Sequence, residues 1–111
     1  MIKPKHPKRR YLAIQVISET SFSGEDLLKT VQGMLLKLYG EYGLSRSGLR
    51  LLEFHSVQGE GILTCNHDFM PQMRSTLAAV RTVAGKPVIP QVLGVSGTVK
   101  RLRRKFMEGK P

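Results

Sequence analysis

Apolar residues along this chain follow strand-like alternation, then helical spacing, then alternation twice more, then helical spacing, then alternation again. That succession restricts the fold more than any single motif does. Arg10 to Ser18 reads as a strand, in which Leu12, Ile14 and Val16 alternate with Tyr11, Ala13, Gln15 and Ile17. The even set marks a core face. The odd set is half apolar, so the second face is not left wholly to water either. Ser23-Gly24-Glu25-Asp26 opens a helix, with a capping serine and acids suited to the helix dipole. This helix is expected to run to about Tyr39, burying Leu27, Leu28, Val31, Leu35 and Leu38 with Met34 beside them, and to stop at Gly40 and Gly43. Gly33 inside it costs about 1 kcal/mol against alanine and is expected to allow close packing on a sheet.

After a loop from Leu44 to Gly48, Leu49–Ser56 and Gly61–Cys65 read as two strands joined by the turn Val57-Gln58-Gly59-Glu60. A second helix is expected from about Phe69 to Val83, with Pro71 tolerated in its first turn and Met73, Leu77, Val80 and the smaller Ala84 facing inward. Gly85-Lys86-Pro87 is a turn, and Val88–Val95 is a fourth strand whose Pro90 indicates an edge position. The order β-α-β-β-α-β is the split βαβ, ferredoxin-like pattern: an α+β sandwich of a four-stranded antiparallel sheet with both long helices on one face. Residues 10–111 are expected to form this single domain, including a basic C-terminal helix, behind a flexible basic arm at residues 1–9.

That last helix carries the clearest functional signal. From Leu93 to Phe106 the chain leaves a strand, passes Gly94 and Gly97, and becomes amphipathic, with Val99, Leu102 and Phe106 on one stripe. Lys100, Arg101, Arg103, Arg104 and Lys105 fill the remaining circumference. Ser96 and Thr98 are both suited to cap it, and the amides around Gly97 and Thr98 are expected to hold one phosphate.

The net charge is +10, from 18 lysines and arginines against 8 acids. Its placement decides its meaning. Residues 1–10 carry Lys3, Lys5, Lys8, Arg9 and Arg10, and residues 97–111 carry six cations against Glu108, whereas residues 11–96 are balanced. Excess charge confined to two terminal segments points to a polyanion, most often nucleic acid. A membrane surface fits poorly, because the apolar stripe of the last helix is small and lacks Trp. No apolar run approaches the ~18 residues of a spanning helix, and the basic N-terminus lacks the apolar core of a secretory signal. One cysteine, Cys65, excludes an intrachain disulfide, so a cytoplasmic location is expected.

Catalytic constellations are missing. The third strand, Gly-Ile-Leu-Thr-Cys, has no aromatic and the first offers only Tyr11, so the sheet is not expected to stack bases as RNA-recognition motifs do. RNA contact is therefore expected from the termini, and mainly through phosphates. His55 and His67 are the pair an acid–base ribonuclease would use, but both sit near turns, where solvated or capping roles are the plainer reading. Cys65-Asn66-His67 supplies two ligands at most, short of a zinc site, so no metal and no catalytic residue is assigned. Gly94-Val95-Ser96-Gly97-Thr98 matches neither a nucleophile elbow nor a P-loop.

Leu93-Gly94-Val95-Ser96-Gly97-Thr98-Val99-Lys100-Arg101-Leu102, followed by Arg104-Lys105-Phe106, resembles the C-terminal signature of the archaeal ribonuclease P protein component 2 family. Lys8-Arg9-Arg10-Tyr11 leading into Val16-Ile17-Ser18-Glu19 supports it, and the likeness runs along almost the whole chain. The resemblance implies a small ferredoxin-like subunit of the ribonucleoprotein that removes the 5′ leader of precursor tRNA. It implies that RNA is the catalyst, that magnesium sits on the RNA with no cofactor on the protein, and that the subunit pairs with a larger barrel-shaped subunit. It further implies that two such pairs join through this chain as a heterotetramer. Lys100, Arg101, Arg103, Arg104 and Lys105 are then the expected contacts to ribonuclease P RNA, with Lys8, Arg9 and Arg10 as a second patch. Ala13 and Ile17, on the odd face of the first strand, are the expected protein-partner surface. The nearest alternative is a general RNA-binding chaperone of another ribonucleoprotein; a histidine ribonuclease and a ligand-binding regulatory module stand further off.

Overall fold

A computed structural model describes residues 8–107. The elements follow in the order β1 (Arg9–Ile17), α1 (Gly24–Ser47), β2 (Arg50–His55), β3 (Glu60–Asn66), α2 (Met70–Ala79), β4 (Thr82–Val83), β5 (Lys86–Pro87), β6 (Ile89–Ser96) and α3 (Val99–Leu102). A 3-10 turn at His67–Phe69 leads into α2, and a π-helical turn at Arg103–Met107 continues α3. The main sheet has the order β2-β3-β1-β6 with every neighbouring pair antiparallel. This is the expected α+β, ferredoxin-like arrangement. β6 borders β1 alone, so Pro90 lies in an edge strand as expected, where its missing N–H costs no ladder bond on the open side. All of residues 1–7 of the expected arm fall outside the described residues, and Arg9 already belongs to β1.

One face of the sheet is covered by α1 and α2. Leu12, Ile14 and Val16 of β1 meet Leu27, Val31 and Leu35 of α1, with Met73 and Leu77 of α2, in the main core. The alternation read in β1 is therefore the core pattern. Ser23 caps α1, its hydroxyl accepting from the Asp26 amide at 3.1 Å, and Gly48 closes it in a left-handed conformation.

The sequence misplaced both helix ends. Gly40 does not end α1. It takes φ 73° and ψ −176°, kinks the helix, and lets it resume to Ser47, so the expected loop at Leu44–Gly48 is mostly helical. Leu44 packs against the main core and Gly43 is buried, which is the packing that the resumed turns gain. Leu38 is 46% exposed and does not belong to the buried stripe. Gly33 faces open space, with nothing within 4 Å of an added Cβ, so it serves no close packing on the sheet.

α2 stops at Ala79, short of the expected Val83, because Val80 turns extended. Val80 and Val83 are both buried from extended backbone, where β-branched side chains fit well. Thr82–Val83 then pairs with Lys86–Pro87 around Ala84 and Gly85, both at positive φ, a tight hairpin. Ala84 is exposed at that turn and is not part of a helical stripe.

The opposite face of the sheet is covered by the last helix. Leu102 is fully buried with Ala13 and Ile62, and Tyr11, Leu93, Val99 and Phe106 surround them. The expected stripe of Val99, Leu102 and Phe106 is thus correct. One consequence overturns an expectation: Ala13 is 0% exposed beneath this helix and cannot offer a partner surface, whereas Ile17, further along the same face, is 48% exposed.

Candidate nucleic-acid interface

β6 ends at Ser96, and the chain turns into α3 at Thr98. Thr98 is the cap: its hydroxyl accepts from the Arg101 amide at 3.2 Å. Ser96 does not cap the helix but orients the turn, accepting from the Thr98 amide at 3.3 Å. With Leu102 pinned to the sheet, Lys100, Arg101, Arg104 and Lys105 are exposed on the outer side, and none pairs with an acid among the described residues. Arg103 differs. It turns back to the sheet and pairs with Oε1 of Glu53. Glu53 also accepts a hydrogen bond from Nε2 of His55 at 2.9 Å through Oε2. Partial burial pushes the Glu53 carboxyl up, but the hydrogen bonds from His55 and Arg103 outweigh it and the net direction is down.

Lys8, Arg9 and Arg10 have three different fates. Lys8 is exposed, and its carbonyl accepts from the His67 amide at 2.7 Å. Arg9 is used internally: its guanidinium donates to the Thr64 hydroxyl at 3.3 Å, to Oδ1 of Asn66 at 3.2 Å and to the Gly48 carbonyl. Arg10 donates to the Arg9 carbonyl at 3.3 Å, and its guanidinium lies 3.6 Å from where a Cβ on Gly97 would stand. The two basic segments therefore meet at Arg10 and Gly97. Antiparallel pairing makes them meet, because Tyr11 lies opposite Ser96 in the register of β1 and β6.

The same sheet end carries a cation that charge placement alone leaves out. Arg50 heads β2 and pairs with Thr64, which in turn faces Tyr11 in the same row. It is exposed and makes no ion pair among the described residues. Arg46 in the last turn of α1 is exposed nearby in sequence, but donates to the Tyr42 hydroxyl at 2.8 Å and lies over that ring. Both belong to the electrically balanced middle of the chain. The strand directions could have revealed Arg50: in this topology the start of β2 shares an end with the start of β1 and the finish of β6.

The other end of the sheet has another character. Ile17 lies opposite Ile89, which is 60% exposed, and Glu19 follows close by. Ile17–Thr20 and Gly85–Ile89 line a cleft of about 570 Å³.

The histidines do not form a pair. His55 lies opposite Glu60 at one end of β3, while His67 follows Asn66 at the other, a separation of roughly 20 Å along a strand of this length. Cys65 is a buried core residue whose thiol burial pushes up to about 11. Among the described residues no group of three or more His, Cys, Asp and Glu could hold a metal ion, and no helix is long and apolar enough to cross a membrane.

Residues 10–107 match the Rpp14/Pop5 family. The chain is 42% identical over 101 residues to ribonuclease P protein component 2 of Methanosarcina mazei, covering 91% of this chain and 85% of that one. It is 36% identical over 101 residues to the protein of the same name from Archaeoglobus fulgidus, covering 91% and 90%. The Pyrococcus furiosus counterpart is 35% identical over 100 residues, covering 90% and 83%. Among solved structures, a chain of the yeast ribonuclease MRP cryo-EM structure superimposes with a TM-score of 0.65 at 15% identity, over 86% of this chain and 79% of that one.

Proposed function

The chain belongs to the Rpp14/Pop5 family, and on that premise we propose how it works as a protein subunit of ribonuclease P, the ribonucleoprotein that removes the 5′ leader of precursor tRNA. Its role is to bind and stabilise the RNA, which carries the catalysis with its own magnesium ions in the cytoplasm. The observation that carries this reading is the outward array of Lys100, Arg101, Arg104 and Lys105 on a helix fixed to the sheet by Leu102. Cations held on a fixed support neutralise RNA phosphates without first being ordered themselves, and they screen repulsion between RNA segments. Lys8, Arg10 and Arg50 extend the array at the same sheet end, and the backbone at Gly97 and Thr98 lies beside Arg10. Arg9 contributes by bracing β1 against β3 and Gly48.

The apolar end at Ile17 and Ile89 supports a protein contact there. We assign it to the larger barrel-shaped subunit, with two such pairs joining through this chain as a heterotetramer that presents precursor tRNA to the RNA. The test is reconstitution of ribonuclease P RNA with its other subunits at low magnesium, with this chain, without it, and with Lys100, Arg101, Arg104 and Lys105 changed to Ala. Cleavage that needs the chain and falls in the variant supports the reading. Cleavage that needs the chain but ignores the variant moves the RNA contact away from the last helix, and cleavage indifferent to the chain removes the role.

A further inference from the structure

β2 contains a bulge that re-aims two side chains. Leu51 lies opposite Leu63, but the next paired residue, opposite Ile62, is Glu53 and not Leu52. In unbroken register Glu53 would face Gly61 on the core side. The extra residue instead brings Phe54 opposite Gly61, where it stacks on Phe22 with ring centroids 5.4 Å apart. The same shift sets Glu53 beside Ile62 on the face that carries the last helix. There both carboxylate oxygens are used, Oε1 by Arg103 and Oε2 by His55. Arg103 stands next to Leu102 in the chain, at the border between the buried stripe and the exposed cations.

Leu102, Val99 and Phe106 fix where the helix sits, but apolar contacts along one stripe are not directional and restrain rotation about the helix axis less than a directed bond does. A charge-assisted bond from Arg103 to a half-buried carboxylate supplies that directional restraint. We propose that Glu53 is a positioning residue for the RNA contact: it holds Arg103 against the sheet and so sets the outward direction of Lys100, Arg101, Arg104 and Lys105. Arg103 is a strut of the protein and not a ligand of the RNA. This rests on the reading of the last helix as an RNA-binding element.

The experiment is binding of the full chain to ribonuclease P RNA as a function of salt. The variants are Glu53→Gln, Arg103→Ala, Arg101→Ala, the charge exchange of Glu53→Arg with Arg103→Glu, and the fourfold Ala variant above, with folding of each checked by circular dichroism. Removing an acid from a polycation that binds a polyanion tightens binding if only net charge matters. Positioning gives the reverse: Glu53→Gln weakens binding about fivefold, the scale of one partly exposed ion pair. Arg103→Ala weakens it to a similar degree while the salt slope stays at the wild-type value. Arg101→Ala lowers the slope by roughly 0.7–0.9, the loss of one phosphate contact. The charge exchange restores most of the affinity. Unchanged or tighter binding by Glu53→Gln, or a slope lowered by Arg103→Ala, overturns the strut. If the fourfold variant binds as wild type, the RNA reading of the helix itself fails and the strut falls with it.

Discussion

The ring of Phe106 lies directly on Gly94: a Cβ built on that glycine would overlap the ring at Cζ. Gly94 is opposite Ala13 in the sheet, so two small residues make the floor on which the end of the last helix rests. Gly94→Ala must push the ring away, and overpacking of this kind costs about 1–3 kcal/mol. The expected result is a lower urea midpoint together with weaker RNA binding, since the same ring helps hold the basic helix. A midpoint unchanged within error would show that Phe106 moves aside freely and does not anchor the helix.

Gly33 and Gly40 lie on one helix in open space, yet the same substitution should act in opposite directions. Gly33→Ala touches nothing and gains helix propensity, so stability rises by about 1 kcal/mol. Gly40 sits at φ 73° and ψ −176°, a region that only glycine enters readily, so Gly40→Ala costs about 2 kcal/mol. Urea denaturation of the two single variants measures both, and a shared sign would refute the kink.

Arg9 and Arg50 are neighbours at one sheet end with different duties. Arg9→Ala leaves the Gly48 carbonyl and two side-chain acceptors without their donor, for a loss of about 2 kcal/mol in stability. Arg50→Ala should leave the urea midpoint within about 0.5 kcal/mol of wild type and lower the salt slope of RNA binding. Parallel denaturation and binding titrations separate the two roles.

Acid should loosen the contact between Glu53 and Arg103. The Glu53 carboxyl lies below its ordinary 4.5 in the folded chain, so its stabilisation is complete above that value and disappears as pH falls through the depressed one. Glu53→Gln lacks this contribution. The urea midpoint of wild type should therefore exceed that of Glu53→Gln at neutral pH, and the gap should shrink progressively as pH falls below 4.5. A constant gap down to pH 3 would show that the charge of Glu53 is not what stabilises.

Much of the architecture was readable because local pattern and tertiary packing agree. Alternation in β1 matched the core face, Pro90 marked the edge, and Val99, Leu102 and Phe106 marked the buried side of the last helix. Failures occurred where packing overrode a local signal. Gly40 looks like a stop, but buried Gly43 and partly buried Leu44, packed against the core, recover the cost of passing it. Val80 and Val83 continue a helical spacing, yet both fill the core from extended backbone. At the interface, composition identified the basic helix but could not separate Arg103 from its four neighbours. That distinction depends on Glu53, 50 residues earlier in the chain and turned to the right face by a bulge. The burial of Ala13 is hidden from the local pattern for the same reason: the element that covers it is the last one in the sequence.

The bulge makes β2 a strand in which register matters more than the identity of the bulged residue. Leu52 is 46% exposed, and many side chains would serve there. Deleting it would remove the bulge and nothing else in the register. The shortened strand would pair without a break and keep Glu53 opposite Ile62 and Phe54 opposite Gly61; faces are exchanged only if the strand pairs regularly with Leu52 retained, which would send a carboxylate toward Phe22 and an aromatic ring toward Arg103. Drift at this position is therefore open to substitution and to loss of the residue, and closed to any change that straightens the strand with Leu52 in it, a limit on how the chain can change that no inventory of its residue types would reveal.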